Sequence, residues 1–319
     1  MKPTLIINFT DFWQGFDKLD NFFYNLLSET YNIEISDKPN FLFYSCYGND
    51  YLKYRCIRIF YASENQRPDF LRCDYALSFD YIQRRNHYRL PLYHLYIDKH
   101  GYYQQLLQHI SIATATAIWK GKTKFCCMLV TNPNATERID FFNALSKTKW
   151  VDSGGRYLNN IGYAVTDKME FIKDYKFVLA FENSSFPGYT TEKIMEPMVT
   201  NCIPVYWGNP LIEKEFNAAS FVNVHRYSNF DEVIQQMIAL DEQDEKAIEM
   251  IRQEKIAAGA TEHRVVLQEV TAFLDNIIHR RNKLPIAKNR LVIVWILVLK
   301  VKTKIGNRFF KMLNPSPHA

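Results

Sequence analysis

Two series of short apolar runs, interleaved with helical patterns, constrain most strongly what this 319-residue chain can fold into. The first series comprises runs at 5–9, 32–36, 41–45, 57–63 and 75–79, with a helical pattern at 17–31. The second comprises runs at 125–133, 175–182, 202–208 and 221–225, with helical patterns from 136, from 190 and at 230–240, 243–257 and 262–281. Strands that alternate with helices favour parallel sheets joined by right-handed crossovers. The chain is therefore predicted to be an α/β protein with two Rossmann-like domains that face a cleft.

The two series also predict where the domains divide. A helical, basic stretch near 110–124 separates them, and the chain is long enough for each half to bury a core of its own. We expect one domain over residues 1–118, a second over 119–270, and a C-terminal helix with a basic tail over 271–319.

Composition indicates a globular, reduced protein. Apolar residues make up 47% of the chain, and the 15% of aromatic residues suits surfaces that stack on sugars or bases, although any single ring can equally be core packing. The six cysteines lie mostly in apolar runs without a CxxC pair, which favours buried thiols over disulfides or zinc. The apolar stretch at the N-terminus is short and is interrupted by Asp11, which is untypical of a signal peptide. We expect a cytoplasmic protein.

Positive charge is concentrated at the C-terminal end. From Asn276 onward there are ten Lys and Arg residues and no acidic residue. The part of the chain before Asn276 therefore contains 29 basic and 34 acidic residues and has a negative net charge. The apolar run Leu291–Leu299 is nine residues long, whereas a membrane span needs ~20. This pattern favours a helix lying on an anionic membrane surface, and the alternative is a last core helix with a basic end. Aromatic residues are not interleaved with these charges, so nucleic-acid binding is not expected.

One segment, residues 175–210, carries the most specific chemical pattern. It reads as strand, polar loop, helix and strand, with Thr190 or Thr191 able to cap the helix. A helix start presents unpaired N–H groups, and Lys193 in its first turn makes it a seat for a phosphate. Glu192 can accept ribose hydroxyls, although a first-turn glutamate is also favoured by the helix dipole. Within this helix Pro197 should cause a kink or an early end, and Asn201 lies where a left-handed residue is expected after the helix.

The same segment resembles a known enzyme family. FEN-x6-TxEK followed by IPVYWG, within residues 181–208, closely resembles the signature of the bacterial α-1,3-fucosyltransferases of glycosyltransferase family ten, which use GDP-fucose. The resemblance implies a GT-B fold in which Lys193 binds the diphosphate and Glu192 binds the ribose. Asn183 and Tyr189 match further donor contacts of the family.

A second resemblance assigns an arginine to the diphosphate. The turn and helix TNPNATERIDFFNALSK, 131–147, resemble a family segment whose arginine contacts the diphosphate, and this arginine matches Arg138. Arginine can hold two phosphate oxygens with its planar fork. The alternative is a surface arginine paired with Glu137 or Asp140.

The catalytic base is expected in the N-terminal half. Inverting glycosyl transfer requires a carboxylate that takes the proton of the acceptor hydroxyl. The segment RIFYASENQRPDF, 58–70, resembles the family's FYxGEN segment, whose glutamate is the proposed base and matches Glu64. Ala62 and Ser63 replace the family's small residue and glycine, and a solvated loop glutamate is the alternative. His87 and Arg89 are candidates for the acceptor side, or for structural roles.

The resemblance predicts an inverting fucosyltransferase that moves L-fucose from GDP-β-L-fucose to O3 of N-acetylglucosamine in an acceptor such as N-acetyllactosamine. No DxD pattern occurs, so metal is expected to be dispensable and no cofactor is needed. The expected setting is lipopolysaccharide or protein glycosylation on the cytoplasmic face of the inner membrane. Two alternatives stay open: a related GT-B transferase for another nucleotide sugar, and a non-catalytic, membrane-associated glycan-binding protein.

Overall fold

The computed structural model describes residues 1–280 and 284–289, and these form two compact units. The first unit comprises residues 1–78 and 82–88 together with the described residues from 269 onward. The second comprises residues 79–81 and 89–268. The basic tail from 290 and its predicted membrane helix lie outside the described residues. Among those described, none of the helices is long and apolar enough to cross a membrane.

The first unit is built on a six-stranded sheet in the order β2-β1-β3-β4-β5-β6. Its strands are β1 Thr4–Thr10, β2 Asn32–Ile35, β3 Phe41–Tyr44, β4 Ile57–Tyr61, β5 Tyr75–Ser78 and β6 His87–Arg89. The pairs from β2 through β5 are parallel, with Ile7 opposite Phe41 and Ile59 opposite Tyr75. Ile7, Phe43 and Ile59 are buried, as expected for strands covered on both faces. Helix α1, Phe22–Ser28, follows β1.

The second unit is built on a five-stranded parallel sheet in the order β11-β10-β9-β7-β8. Its strands are β7 Lys124–Met128, β8 Val151–Ser153, β9 Tyr175–Phe181, β10 Ile203–Trp207 and β11 Val222–Asn223. The remaining helices are α2 Tyr93–His100, α3 Tyr103–Leu107, α4 Ile112–Gly121, α5 Thr136–Leu145, α6 Lys168–Ile172, α7 Glu192–Val199, α8 Phe230–Glu242, α9 Asp244–Arg252 and α10 His263–His279.

Both sheets share one topology. Counted within each unit, the first five strands have the order 2-1-3-4-5, a doubly wound arrangement whose direction of winding reverses between the first and third strands. In the second unit this reversal lies between β7 and β9. Ligands of such sheets bind outside the carboxyl ends of the strands at that point.

The division of the chain differs from the predicted boundaries at 118/119 and 270/271. Helix α4 belongs with the second unit because it packs on α9, where Trp119 donates to Asp244 Oδ1 over 2.7 Å. The Trp119 ring also lies edge-on to Phe177 of β9 at 5.9 Å. Helices α2 and α3 pack on α7 in the same unit. These long-range contacts are not visible in the local pattern that set the predicted boundary.

The predicted strands are all present, with two differences in the elements around them. Strands β6 and β8 and helices α2, α3 and α6 were not predicted, because three to eight residues are too short for a clear period. Helix α7 continues through Pro197 to Val199 instead of ending early. Asn201 then takes the left-handed φ of 54° that stops the helix. Five of the six cysteines are buried, Cys46 is half-buried, and none forms a disulfide.

Candidate active site

The start of α7 is fixed by a buried carboxylate at the end of β9. Glu182 follows β9 directly and is fully buried. Its Oε1 accepts the backbone N–H of Thr191 at 2.8 Å, and its Oε2 accepts the Thr191 hydroxyl at 2.8 Å. Thr191 in turn caps α7 by accepting the N–H of Lys193, as predicted. The first turn of α7 is therefore tied to the end of the neighbouring strand.

Lys193 lies between two carboxylates. Its Nζ is 3.2 Å from Glu182 Oε2 and 3.5 Å from Glu192 Oε1. Burial alone would lower the pKa of Lys193, but the charges of Glu182 and Glu192 outweigh it and raise that pKa. Lys193 is therefore a fixed cation at the helix start.

The two carboxylates differ in their surroundings. Burial raises the pKa of Glu182, although Lys193 and Thr191 oppose this. Burial also opposes ionisation of Glu192, but the cations Lys193 and Lys168 outweigh it and lower the pKa of Glu192 to about 2. Glu192 is thus an ionised acceptor beside the cavity described below.

Arg138 is anchored to the same strand end. It lies on α5 with only 4% of its surface exposed, so it is no surface arginine. Its Nε donates to the carbonyl of Phe181 at 3.1 Å, and one terminal nitrogen donates to Asn183 Oδ1 at 3.1 Å. Burial lowers the pKa of Arg138, and the charge of Glu182 opposes that shift. Arg138 and Asn183 are thereby brought together at the end of β9.

These side chains line a cavity of about 230 Å³. Its polar lining comprises Thr131, Asn132, Arg138, Lys168, Asn183, Glu192 and Lys193. It lies beyond the carboxyl ends of β7 and β9, at the reversal point of the sheet. Three cations and a helix start favour an anion with several oxygens, such as a diphosphate.

A second cavity of about 780 Å³ shares Leu129, Thr131 and Lys168 with the first. It is also lined by Gly155, Arg156 and Tyr163. A Cβ on Gly155 would lie 1.9 Å from the carbonyl oxygen of Val130, so only glycine allows the two backbone segments to approach this closely. The pair of cavities offers a charged compartment beside a larger one of mixed polarity.

Tyr189 is placed apart from the other predicted donor residues. Its side chain is 2% exposed, packs 5.0 Å from the ring of Phe79, and does not line either cavity. Gly188 beside it has φ +87° and donates its N–H to Asn209 Oδ1 at 2.7 Å. Tyr189 therefore supports the loop before α7 from within the core.

Glu64 belongs to the first unit. It is the third residue after the end of β4, is half-buried, and accepts the hydroxyl of Tyr47 at 3.0 Å. Ser63 does not take a left-handed φ, so serine meets no backbone strain where the family has glycine. Its hydroxyl lies 2.8 Å from that of Ser45, which donates to the carbonyl of Tyr61. The loop that contains Glu64 is therefore hydrogen-bonded to Ser45, at the end of the neighbouring strand β3.

His87 and Arg89 have structural partners. The ring of His87 is buried, with Nε2 2.8 Å from Ser78 Oγ. Arg89 pairs with Glu215, donates to the carbonyl of Phe79 at 3.1 Å, and lies over the Tyr81 ring at 4.3 Å. Both residues serve the local packing of their own units.

Two residues of the site were missed by sequence reasoning. Glu182 is the middle residue of the FEN motif, which predicts no role for it, and Lys168 is not among the predicted site residues. A charged residue at the end of an apolar strand, beside a predicted site, was the available signal for Glu182. Lys168 had no signal, because α6 itself was not predicted.

Among residues 1–280 and 284–289, no group of three His, Cys, Asp or Glu side chains is arranged to hold a metal ion. Dispensability of metal stays a prediction.

Comparison with solved structures supports the fold class. A crystal structure of an α1,3-fucosyltransferase with GDP-fucose superimposes with a TM-score of 0.74 at 27% identity, covering 89% of this chain and 93% of that one. A further crystal structure of an α1,3-fucosyltransferase gives a TM-score of 0.75 at 27% identity, covering 90% of this chain and 93% of that one. The two doubly wound units therefore have the GT-B fold class, as predicted.

The sequence comparisons identify the family within that class. A family model for the N-terminal domain of α-(1,3)-fucosyltransferase FucT matches residues 7–96, and one for the C-terminal part of glycosyltransferase family 10 (fucosyltransferase) matches 119–257. Together they cover more than two thirds of the chain, which therefore belongs to the family 10 fucosyltransferases.

Named relatives agree with this assignment. Alpha-(1,3)-fucosyltransferase FucT of Helicobacter pylori is 34% identical over 259 residues, which cover 70% of this chain and 54% of that protein. A putative fucosyltransferase of Acanthamoeba polyphaga mimivirus is 33% identical over 155 residues, covering 45% of this chain and 26% of the viral protein. The chain thus spans about half the length of the Helicobacter relative.

Proposed function

We propose that this protein is an inverting α-1,3-fucosyltransferase that moves L-fucose from GDP-β-L-fucose to O3 of N-acetylglucosamine in a glycan. The observation that carries the proposal is the convergence of Arg138, Lys168 and Lys193 on one cavity at the start of α7. Similarity to proteins named α-1,3-fucosyltransferases supports the choice of donor and linkage.

The donor is bound by the second unit. The diphosphate occupies the charged cavity, where Arg138 and Lys193 neutralise the charge that grows as GDP leaves. Glu192, which is ionised, accepts the ribose hydroxyls. The adjoining cavity beside Gly155 and Arg156 takes the nucleoside. Because the cations are held in place before the donor arrives, little reorganisation is needed during reaction.

The base is Glu64. The acceptor hydroxyl attacks the anomeric carbon of fucose from the face opposite to GDP, so a C–O bond forms while the bond to the diphosphate breaks. The hydroxyl proton passes to the Glu64 carboxylate, and both electrons of the broken bond leave with GDP. Attack from the opposite face inverts the β-linked donor to an α-linked product.

One assay tests the donor and the acceptor together. The protein is incubated with GDP-fucose, or with GDP-mannose as the competing donor. Each donor is combined in separate reactions with lactose, N-acetyllactosamine or lacto-N-biose, and the linkage of any product is mapped. We expect selective use of GDP-fucose and an α-1,3 bond to N-acetylglucosamine. Faster turnover of GDP-mannose would favour a related transferase for another sugar nucleotide. Glycan binding without turnover would favour the non-catalytic alternative.

The base is tested by Glu64→Gln, which keeps the size of the side chain and removes proton acceptance. Turnover should fall by 10²-fold or more, the approximate scale of general-base catalysis, with GDP-fucose affinity unchanged. Glu34→Gln, on an exposed position of β2, is the matched control and should keep full activity. Loss of donor binding in Glu64→Gln would show that Glu64 has another role.

A further inference from the structure

Tyr47 makes one hydrogen bond to the proposed base and another to the loop after β1. Its hydroxyl donates to Glu64 Oε1 at 3.0 Å, and its backbone N–H donates to the carbonyl of Asp11 at 3.0 Å. The ring is 49% exposed, so its burial is not what holds it in this position. Tyr47 and Glu64 follow β3 and β4, which are adjacent and parallel, so both residues lie at the carboxyl edge of the sheet.

The backbone around Tyr47 is held by Asp11. The Asp11 carboxylate accepts the N–H groups of Asp50 and Tyr51 at 3.0 and 2.8 Å, and Asp11 itself has a φ of 58°. Gly48 lies against it, because a Cβ there would be 2.2 Å from Asp11 Oδ1. A non-glycine residue in the left-handed region persists only where its surroundings over-determine it. The loop is therefore built to hold Tyr47 in one place.

In this pair the Tyr47 hydroxyl is the donor and the Glu64 carboxylate the acceptor. Partial burial, and then the charge of Glu64, raise the pKa of the Tyr47 phenol, which stays protonated at neutral pH. The hydroxyl therefore donates to the carboxylate, and this charge-assisted hydrogen bond fixes the orientation of the Glu64 side chain.

We infer that Tyr47 is a positioning residue for the transfer reaction: its hydroxyl holds the Glu64 carboxylate in one orientation for the acceptor hydroxyl. The inference rests on the proposed function, since it takes Glu64 as the base. Nothing in the sequence signature singled out Tyr47, which is a residue of an irregular loop seventeen positions before Glu64.

Tyr47→Phe tests this, because it keeps the ring and removes only the hydroxyl. We expect turnover near neutral pH to fall by about tenfold, the scale of one hydrogen bond to a charged group. The loss should appear in kcat, with little change in the acceptor KM. Donor KM should not change. Tyr88→Phe is the matched control, since the Tyr88 hydroxyl donates to Glu269 at 2.9 Å within the same unit.

A double-mutant cycle separates a positioning role from a structural one. If Tyr47 acts through Glu64, then Tyr47→Phe should cause little further loss in the Glu64→Gln background. A wild-type kcat in Tyr47→Phe, or a change in acceptor KM alone, would overturn the inference while leaving fucosyl transfer intact. Full activity of Glu64→Gln would instead overturn the assigned base and the inference with it.

Discussion

Glu182 and Lys193 form a buried ion pair beneath the first turn of α7, with Oε2 and Nζ 3.2 Å apart. Glu182 is 0% exposed and the Lys193 side chain 22% exposed, so the ammonium reaches the cavity while the carboxylate does not. The pair holds a flexible lysine in one orientation before any anion binds, which reduces the conformational entropy that binding must otherwise remove.

Glu182→Gln should destabilise the fold. The amide cannot accept from Thr191 and Lys193 as the carboxylate does, and it leaves the partly buried ammonium with Glu192 as its remaining charged partner. Breaking a buried pair costs about 3–5 kcal/mol of unfolding free energy. Chemical denaturation measures the loss. Glu170→Gln, which breaks an exposed pair with Lys173, should change stability by less than about 1 kcal/mol. Equal losses of unfolding free energy in the two variants would show that the buried pair of Glu182 and Lys193 does not stabilise the fold.

Lys193→Ala should lower turnover by on the order of 10²-fold or more, because it removes one preorganised charge from the leaving diphosphate. Steady-state kinetics with GDP-fucose and the affinity for GDP are the measurements. Lys173→Ala removes an exposed lysine at the end of α6 and should behave as wild type. Retained activity and donor affinity in Lys193→Ala would contradict the assignment of the cavity.

Glu192 should contribute stability that disappears in acid. Its pKa is lowered to about 2 from 4.5, so its contribution is complete above pH 4.5 and is lost as the pH falls towards 2. The difference in unfolding free energy between wild type and Glu192→Gln should be about 2 kcal/mol smaller at pH 3 than at pH 6. Urea unfolding at both pH values measures it, and a constant difference would mean that Glu192 is not stabilised by Lys193 and Lys168.

Metal should be dispensable. Arg138, Lys193 and the start of α7 already supply positive charge where a diphosphate leaves. Activity after treatment with EDTA should match that of untreated protein at equal ionic strength. Activity that vanished in EDTA and returned only with manganese would show that the leaving group needs an ion.

The C-terminal tail should bind anionic membranes without taking part in chemistry. Residues 284–289 pack on the first unit, where Ile286 donates its N–H to Asp74 Oδ1 at 2.9 Å, so the chain is best cut after Asn289. The cut removes six basic residues and the run Leu291–Leu299. Each basic residue contributes about 1 kcal/mol near an anionic surface, screened by salt. The shortened protein should stay active on small acceptors and lose binding to phosphatidylserine vesicles. Unchanged vesicle binding would place the membrane contact elsewhere.

The local features of the second sheet could be predicted from the sequence. Thr191 as the helix cap and Asn201 as the left-handed stop depend on neighbouring residues only, and both were predicted. The residues that the two family resemblances single out, Arg138, Asn183, Glu192 and Lys193, line one cavity in the structure, and their roles in donor binding stay predictions. Tyr189 matches the same signature but packs in the core against Phe79, because motif spacing does not determine which way a side chain points.

By itself, the sequence determined the succession of strands and helices, because periodicity and capping act within a few residues. Only the tertiary structure decided which distant groups meet. Arg138 reaches the carbonyl of Phe181 across 43 positions, and Glu182 reaches Lys193 across the turn between β9 and α7. Such pairs form only when crossover connections bring the carboxyl ends of β7 and β9 side by side, and that adjacency belongs to the strand order.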